Sequence, residues 1–211
     1  MSQRPGSIDD SPLIQIVDAA LADSTRRSGD WLVCKPGCHQ CCIGVFSISQ
    51  LDARRLRNGL QALTLTDPER AARIRRRAAD SLARLSPTYP GDVATGLLPE
   101  FTGPTDASEA FEAAFEAFAN DEPCPVLDPA TGTCDLYTAR PMTCRTFGTP
   151  VMDAEGGFAV CELCFHGASP EQVAACEMTP DPDGLEDRLL TELREQTGAH
   201  GQTIIVFALR D

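Results

Sequence analysis

The chain has 211 residues, 31 acidic against 18 basic, with a formal net charge of −13, ten cysteines and a single tryptophan. That length suits one globular domain with a modest core. The negative charge disfavours a general nucleic-acid binder or an anionic membrane surface as partner, and the longest apolar stretch, Thr203 to Leu209, is far too short to cross a bilayer.

The first dozen residues read as a loose tail, running into acidic residues with no apolar core or small-residue cleavage site. A cytoplasmic location is therefore expected, where thiols stay reduced and clustered cysteines serve as metal ligands or redox groups more often than as bridges. Ser11 and Pro12 supply a cap and a first helical position, and Leu13, Ile16, Val17, Ala20 and Leu21 recur at helical spacing up to the Ser28-Gly29-Asp30 break. Trp31, Leu32 and Val33 deliver the chain to Cys34-Lys-Pro-Gly-Cys38-His-Gln-Cys41-Cys42. Beyond it, Ile48, Leu51, Leu56, Leu60 and Leu63 predict a second helix. Asp67 and Pro68 start a third, with Ala71, Ile74, Ala78, Leu82 and Leu85 inward, so the two form a helical hairpin. Nine arginines lie between Arg54 and Arg84. A solvated face pairing with nearby acids is the favoured reading over a local anion site. The only lysine, Lys35, sits between two cysteines, which excludes a Walker-type phosphate loop.

Residues 87 to 105 carry prolines and glycines with little periodicity and read as a long loop. Asp106 and Glu109 have capping-box spacing ahead of Phe111, Phe115 and Phe118, a stripe that favours core packing over cofactor stacking. The segment from Cys124 through Cys134 to Cys144 is mostly loop and turn. Phe158 to Val160 predicts a short strand before Cys161-Glu-Leu-Cys164, Ser169 and Pro170 restart a helix carrying Cys176, and Leu185, Leu189 and Leu193 mark a final helix ending at Gly198. Thr203 to Leu209 reads as a buried strand. The fold class is mainly α with little β: a small irregular helical domain, residues 13–211 behind the 1–12 tail, organised around a cysteine-ligated metal centre.

Metal chemistry is the ready explanation of the first cysteine loop, because thiolates converge on a short segment when each must reach one centre. A vicinal Cys41–Cys42 disulfide would close a very small, strained ring. The candidate ligands are Cys34, Cys38, Cys41, Cys42, Cys124, Cys134, Cys144, Cys161 and Cys164, while Cys176 is read as packed, and ten cysteines could fill two four-thiolate sites. A cluster offers several irons, so adjacent Cys41 and Cys42 could serve different metals. That favours an iron-sulfur cluster of the 4Fe-4S kind over zinc, whereas Cys161 and Cys164 equally suit half of a structural zinc site. His39, His166 and His200 are read as neighbours of a site or as surface. No Gly-rich phosphate fingerprint, nucleophile elbow or HExxH pair is present. The radical-type spacing of Cys34, Cys38 and Cys41 lacks the strand signals of the barrel it would need.

The first cluster, followed by Cys124-Pro-Val-Leu, Cys134-Asp-Leu-Tyr137 and Arg140-Pro-Met-Thr-Cys144-Arg145-Thr-Phe147-Gly, resembles the YkgJ-like CxxCxxCC zinc- or iron-chelating domain from Cys34 to about Cys164. One departure is visible: three residues, not two, separate Cys34 from Cys38. That family includes flagellin lysine N-methylases, in which the cysteines are associated with an iron-sulfur cluster. The resemblance implies a metal centre more firmly than a reaction. An unidentified protein partner or electron donor is the expected contact, with nucleic acid and membrane set aside by the net charge. Within the match, Pro141 would stiffen the approach to Cys144, Arg140 and Arg145 would offset thiolate charge, and an ordinary ion pair is the equal alternative for Arg145.

Overall fold

The computed structural model describes residues 8–152 and 156–210. Along them run α1 (Ser11–Ser28), β1 (Ser47–Ser49), α2 (Gln50–Thr66), α3 (Pro68–Leu85), α4 (Asp106–Glu116), β2 (Leu127–Asp128), β3 (Thr133–Cys134), α5 (Met142–Thr146), β4 (Val151–Met152), β5 (Phe158–Ala159), α6 (Pro170–Ala174), α7 (Leu185–Thr197), β6 (Gln202–Ile204) and α8 (Ile205–Ala208). Among the described residues the strands form three antiparallel pairs, β1 with β6, β2 with β3 and β4 with β5. The mainly α class predicted from sequence is the class found. Most of the expected tail, residues 1–7, lies outside the described residues, and α1 already begins at Ser11. No helix of the described residues is long and apolar enough to cross a membrane.

Two compact units divide the chain: Met1–Pro36 with Met142–Gly198, and Gly37–Pro141 with Ala199–Asp211. The second is built on the α2–α3 hairpin. Ser49 caps α2 by accepting from Asp52 N at 3.2 Å, and Asp67 closes α2 and opens α3, accepting from Arg70 N at 3.0 Å. Leu56, Leu60, Ala71, Ile74 and Ala78 join Ile48 in the core. Ile48 belongs to β1, not to the helix the spacing assigned it to. The predicted strand over Thr203–Leu209 is corrected too: β6 stops at Ile204 and the run turns helical, with Leu209 N donating to Ile205 O at 3.1 Å. An unbroken apolar run carries no period with which to tell a buried strand from a buried helical turn.

Gly59 lies mid-helix, where glycine costs about 1 kcal/mol relative to alanine. A Cβ there would stand 2.5 Å from the Ala139 Cβ. The missing side chain lets the segment after Cys134 lie against α2. At α4 the cap is Thr105 with Ser108, one residue ahead of the expected Asp106 and Glu109 pair. The phenylalanine stripe packs as predicted. Phe111 stacks on Phe115 at 5.7 Å and Phe115 on Phe118 at 6.3 Å, and Phe118 is buried beside Tyr89.

In the first unit the buried face of α1 is Leu13, Val17, Ser24 and Ser28, while Ile16 is 37% exposed. The two serines escaped the apolar pattern because their hydroxyls are satisfied internally. Ser24 Oγ donates to Cys176 O at 2.6 Å, and Ser28 Oγ to Ser24 O at 2.7 Å. Helix α6 opens with a Ser169–Gln172 capping box but ends at Ala174, so Cys176 lies just past the helix expected to carry it. α7 stops as expected at Gly198, whose φ of +73° is the left-handed cap conformation.

Candidate metal centre

None of the ten cysteines is in a disulfide. The second unit holds Cys38, Cys41, Cys42, Cys124 and Cys134. Cys124 N donates to Cys42 O at 2.8 Å and Gly44 N to Glu122 O at 2.9 Å, with Ile43 bridged to Pro123, so the first cysteine loop is laced to the segment entering Cys124. The β2–β3 hairpin adds Cys134 opposite Leu127, and Leu127 N donates to Cys124 O at 2.9 Å.

These thiols feel one another. The hydrogen bond from Cys42 holds the Cys41 thiol down to about 6, with His39 and Arg140 acting in the same direction. The same bond, then burial and the charges of Cys41, Cys124 and Cys134, pushes Cys42 up. Burial drives Cys124 up to about 12, and raises Cys134 with help from Asp135. Burial and neighbouring sulfurs thus make Cys42, Cys124 and Cys134 costly to deprotonate, a cost that a bound cation would relieve. Arg140 supplies part of that charge. Its guanidinium, buried, lies 3.9 Å from the Tyr137 ring centroid and its field favours the thiolates of Cys41 and Cys134.

The first unit holds Cys34, Cys144, Cys161, Cys164 and Cys176. Cys34 Sγ lies 4.0 Å from Cys164 Sγ. Cys164 N donates to Cys161 O at 2.8 Å, closing the CxxC turn, and Cys161, Cys164, Phe165 and Cys176 form a buried cluster with Trp31 and Leu32 packed on it. Cys144 rides on α5. Of the two readings for Arg145, the structure shows the ion pair: it is 2% exposed and donates to Asp18 at 2.6 Å. The continuous nine-residue loop thus parts its cysteines, Cys34 to one unit and Cys38, Cys41 and Cys42 to the other. Among the described residues no three Cys, His, Asp or Glu side chains are closed to the reach of one ion. The donor chemistry, thiols buried in each other's fields with a guanidinium beside them, nonetheless fits a thiophilic cation.

Other placements follow the segment rather than the motif. His39 Nδ1 is 3.0 Å from Gly37 O, His166 is exposed, and His200 Nδ1 is 3.7 Å from Glu100. The arginine run pairs with acids as expected, but structurally. Arg70 and Arg77 converge on buried Asp135, Arg77 Nε also donates to Pro125 O at 2.8 Å, and Arg84 pairs with Glu122. Sequence reasoning passed over Asp135, whose signal was a lone acid beside Cys134 in a chain with an arginine-rich helix to match. Gly148 was also passed over. At φ +106° it leaves room for Cys34, since a Cβ there would sit 2.7 Å from Cys34 Sγ.

A mainly α chain in which a cysteine loop is followed by a Cys-Asp-Leu-Tyr, Arg-Pro, Cys-Arg run has the make-up of a cysteine-cluster domain. The model of the CxxCxxCC family, "Putative zinc- or iron-chelating domain", matches residues 33–164, and the chain belongs to that family. Comparisons with curated proteins and with solved structures find no match.

Proposed function

We propose that the chain is a thiolate metalloprotein whose second unit holds an iron-sulfur cluster on donors drawn from Cys38, Cys41, Cys42, Cys124 and Cys134, serving a redox or accessory role in the cytoplasm with a protein electron donor or partner. The observation that carries this reading is the lacing of Cys42 to Cys124 through Cys124 N and Cys42 O at 2.8 Å, with Cys134 paired across the hairpin from Leu127, whose N donates to Cys124 O. The adjacent pair adds to it, because neighbouring thiolates suit two irons of a cluster better than one small ion. When bound, such a cluster supplies one-electron exchange. This chain's own residues would set its environment: Arg140 offsets thiolate charge, and Asp135 with Arg70 and Arg77 holds the Cys134 hairpin still.

Structural zinc is the second reading, favoured by the CxxC turn of Cys161 and Cys164. Iron, acid-labile sulfide and zinc analysis with a visible spectrum, on protein purified without oxygen and without a metal-binding tag, separates the two. A brown protein with about four irons and four sulfides per chain supports the cluster. A colourless protein with zinc and no sulfide sinks it.

A further inference from the structure

We propose that α2 carries a binding site of its own, outside the cysteines, in which Arg54 and Arg57 take up a doubly charged oxyanion of the phosphate class. The site shares no residue with the metal centre above and does not rest on it.

The arginine run is satisfied unevenly. Arg55 pairs with Asp52 at 2.5 Å, Arg70 and Arg77 with Asp135, and Arg84 with Glu122, while Arg75 Nη2 donates to Thr64 Oγ1 at 2.9 Å. Among the described residues no acid or other acceptor meets Arg54 or Arg57. The sequence explains why. A helical side chain meets those three and four positions away. For Arg54 these are Gln50, Leu51, Arg57 and Asn58, and for Arg57 they are Ala53, Arg54, Leu60 and Gln61. None is an acid, and the one acid of α2, Asp52, is taken by Arg55. In a chain with 31 acidic residues against 18 basic, that sets the pair apart.

Burial adds to the imbalance. Arg54 Nη1 is enclosed and has no hydrogen-bond partner, so part of this cation has given up water without an acceptor in return. Its Nε and Nη2 are not enclosed. Guanidinium charge is spread over all three nitrogens, so an anion on the open edge compensates the enclosed one as well. Arg57, one turn on, is exposed, yet desolvation and then the charge of Arg54 push it below the usual arginine range. The two cations oppose each other, and an anion shared by them relieves both.

The donors select the class of ion. Two planar forks one turn apart suit several oxygens and two charges. A carboxylate brings one charge and would leave one cation unmatched. Asn58 and Gln61, both exposed, add neutral donors beside the pair. A free phosphate and the phosphoryl head of a small monoester present the same oxygens.

Full-length protein is titrated at constant ionic strength with inorganic phosphate, with glycerol phosphate and, as a monovalent control, with acetate. The guanidinium Nε–Hε resonances are read by NMR and assigned through Arg54→Lys and Arg57→Lys. Phosphate should shift both resonances saturably, and acetate should not. Arg54→Gln and Arg57→Gln should each weaken phosphate binding at least about tenfold, the worth of one charge-assisted contact. Arg76→Gln, at an exposed arginine of α3, should leave it unchanged. Arg54→Lys keeps the charge and loses the fork, so it should bind with intermediate affinity, and helical circular dichroism checks that each variant is folded. Glycerol phosphate separates the sources: binding like phosphate identifies the phosphoryl head, no binding identifies the free ion, and the site stands in both cases. Shifts that never saturate, that acetate reproduces, or whose affinity survives both glutamine substitutions overturn the inference.

Discussion

Asp135→Asn tests whether the Cys134 hairpin is clamped to α3 by charge. The carboxylate is 4% exposed and accepts from Arg70 Nε and Arg77 Nη2, whose side chains are 36% and 24% exposed. A charge-assisted hydrogen bond contributes about 1.5–3 kcal/mol. Partial exposure of both arginines puts each bond at the low end of that range. The amide keeps one acceptor and turns its NH2 toward the other guanidinium, so the loss should be about 2–3 kcal/mol. With a urea slope of about 2 kcal/mol/M, the midpoint falls by about 1–1.5 M. The assay is urea unfolding of reduced, metal-free protein by far-ultraviolet circular dichroism, which reads α2 and α3, with Trp31 emission followed as a separate probe of the first unit. A double-mutant cycle with Arg77→Ala should show strong non-additivity. A midpoint shift below about 0.3 M, or additive losses, would refute the clamp, since thermal averaging would then have erased the contact.

Three further outcomes are expected. Gly59→Ala improves helix propensity by about 1 kcal/mol but forces its Cβ onto Ala139, an overpacking cost of about 1–3 kcal/mol, so it should destabilise the chain, and adding Ala139→Gly should restore it. A stabilised Gly59→Ala single variant would contradict the close approach. Tyr89, whose hydroxyl donates to Gly96 O at 2.9 Å, is pushed by burial up to about 12. Its folded value lies above the unfolded value of about 10, so it adds up to about 3 kcal/mol that is fully present below pH 10 and lost as pH rises to 12. Tyr89→Phe should flatten the fall of stability across that window, and parallel curves for the two proteins would count against it. Finally, Ser24→Ala should cost about 1–3 kcal/mol in the first unit, because Cys176 O loses its buried donor, read as an earlier change in Trp31 emission in urea.

What the sequence revealed and what it hid follow a physical line. α3 was legible to its first residue because Asp67 and Pro68 are local signals, and α7 because Gly198 is one. The burial of Ser24 in α1 was hidden, since a hydroxyl satisfied by a carbonyl more than a hundred residues away leaves no local mark. The cysteines repeated that pattern on a larger scale. Their spacing declared metal chemistry, yet nine contiguous residues read as one loop, while the chain passes from one unit to the other at Pro36 and Gly37. The extra residue between Cys34 and Cys38 was the available signal. With Gly37 at φ +91° in that gap, Cys34 can turn to a different set of partners from Cys38, Cys41 and Cys42.

That division bears on what a chelator should do. In the second unit Cys124 and Cys134 only border the main apolar cluster, whose members come from α2, α3, α8 and the segments between. The hairpin is capped at Ser49 and Asp67 and clamped at Asp135 without any metal contribution. In the first unit, Cys161, Cys164 and Cys176 are themselves part of a buried cluster, beside a left-handed Phe165 that costs about 1–3 kcal/mol to hold. Stripping metal from the loaded protein should therefore shift Trp31 emission strongly while leaving most of the helical circular dichroism in place. Cooperative loss of the helical signal with the last equivalent of metal removed would refute this, because it would mean that binding free energy, rather than the apolar face of α2 and α3, supplies the folding free energy of the chain.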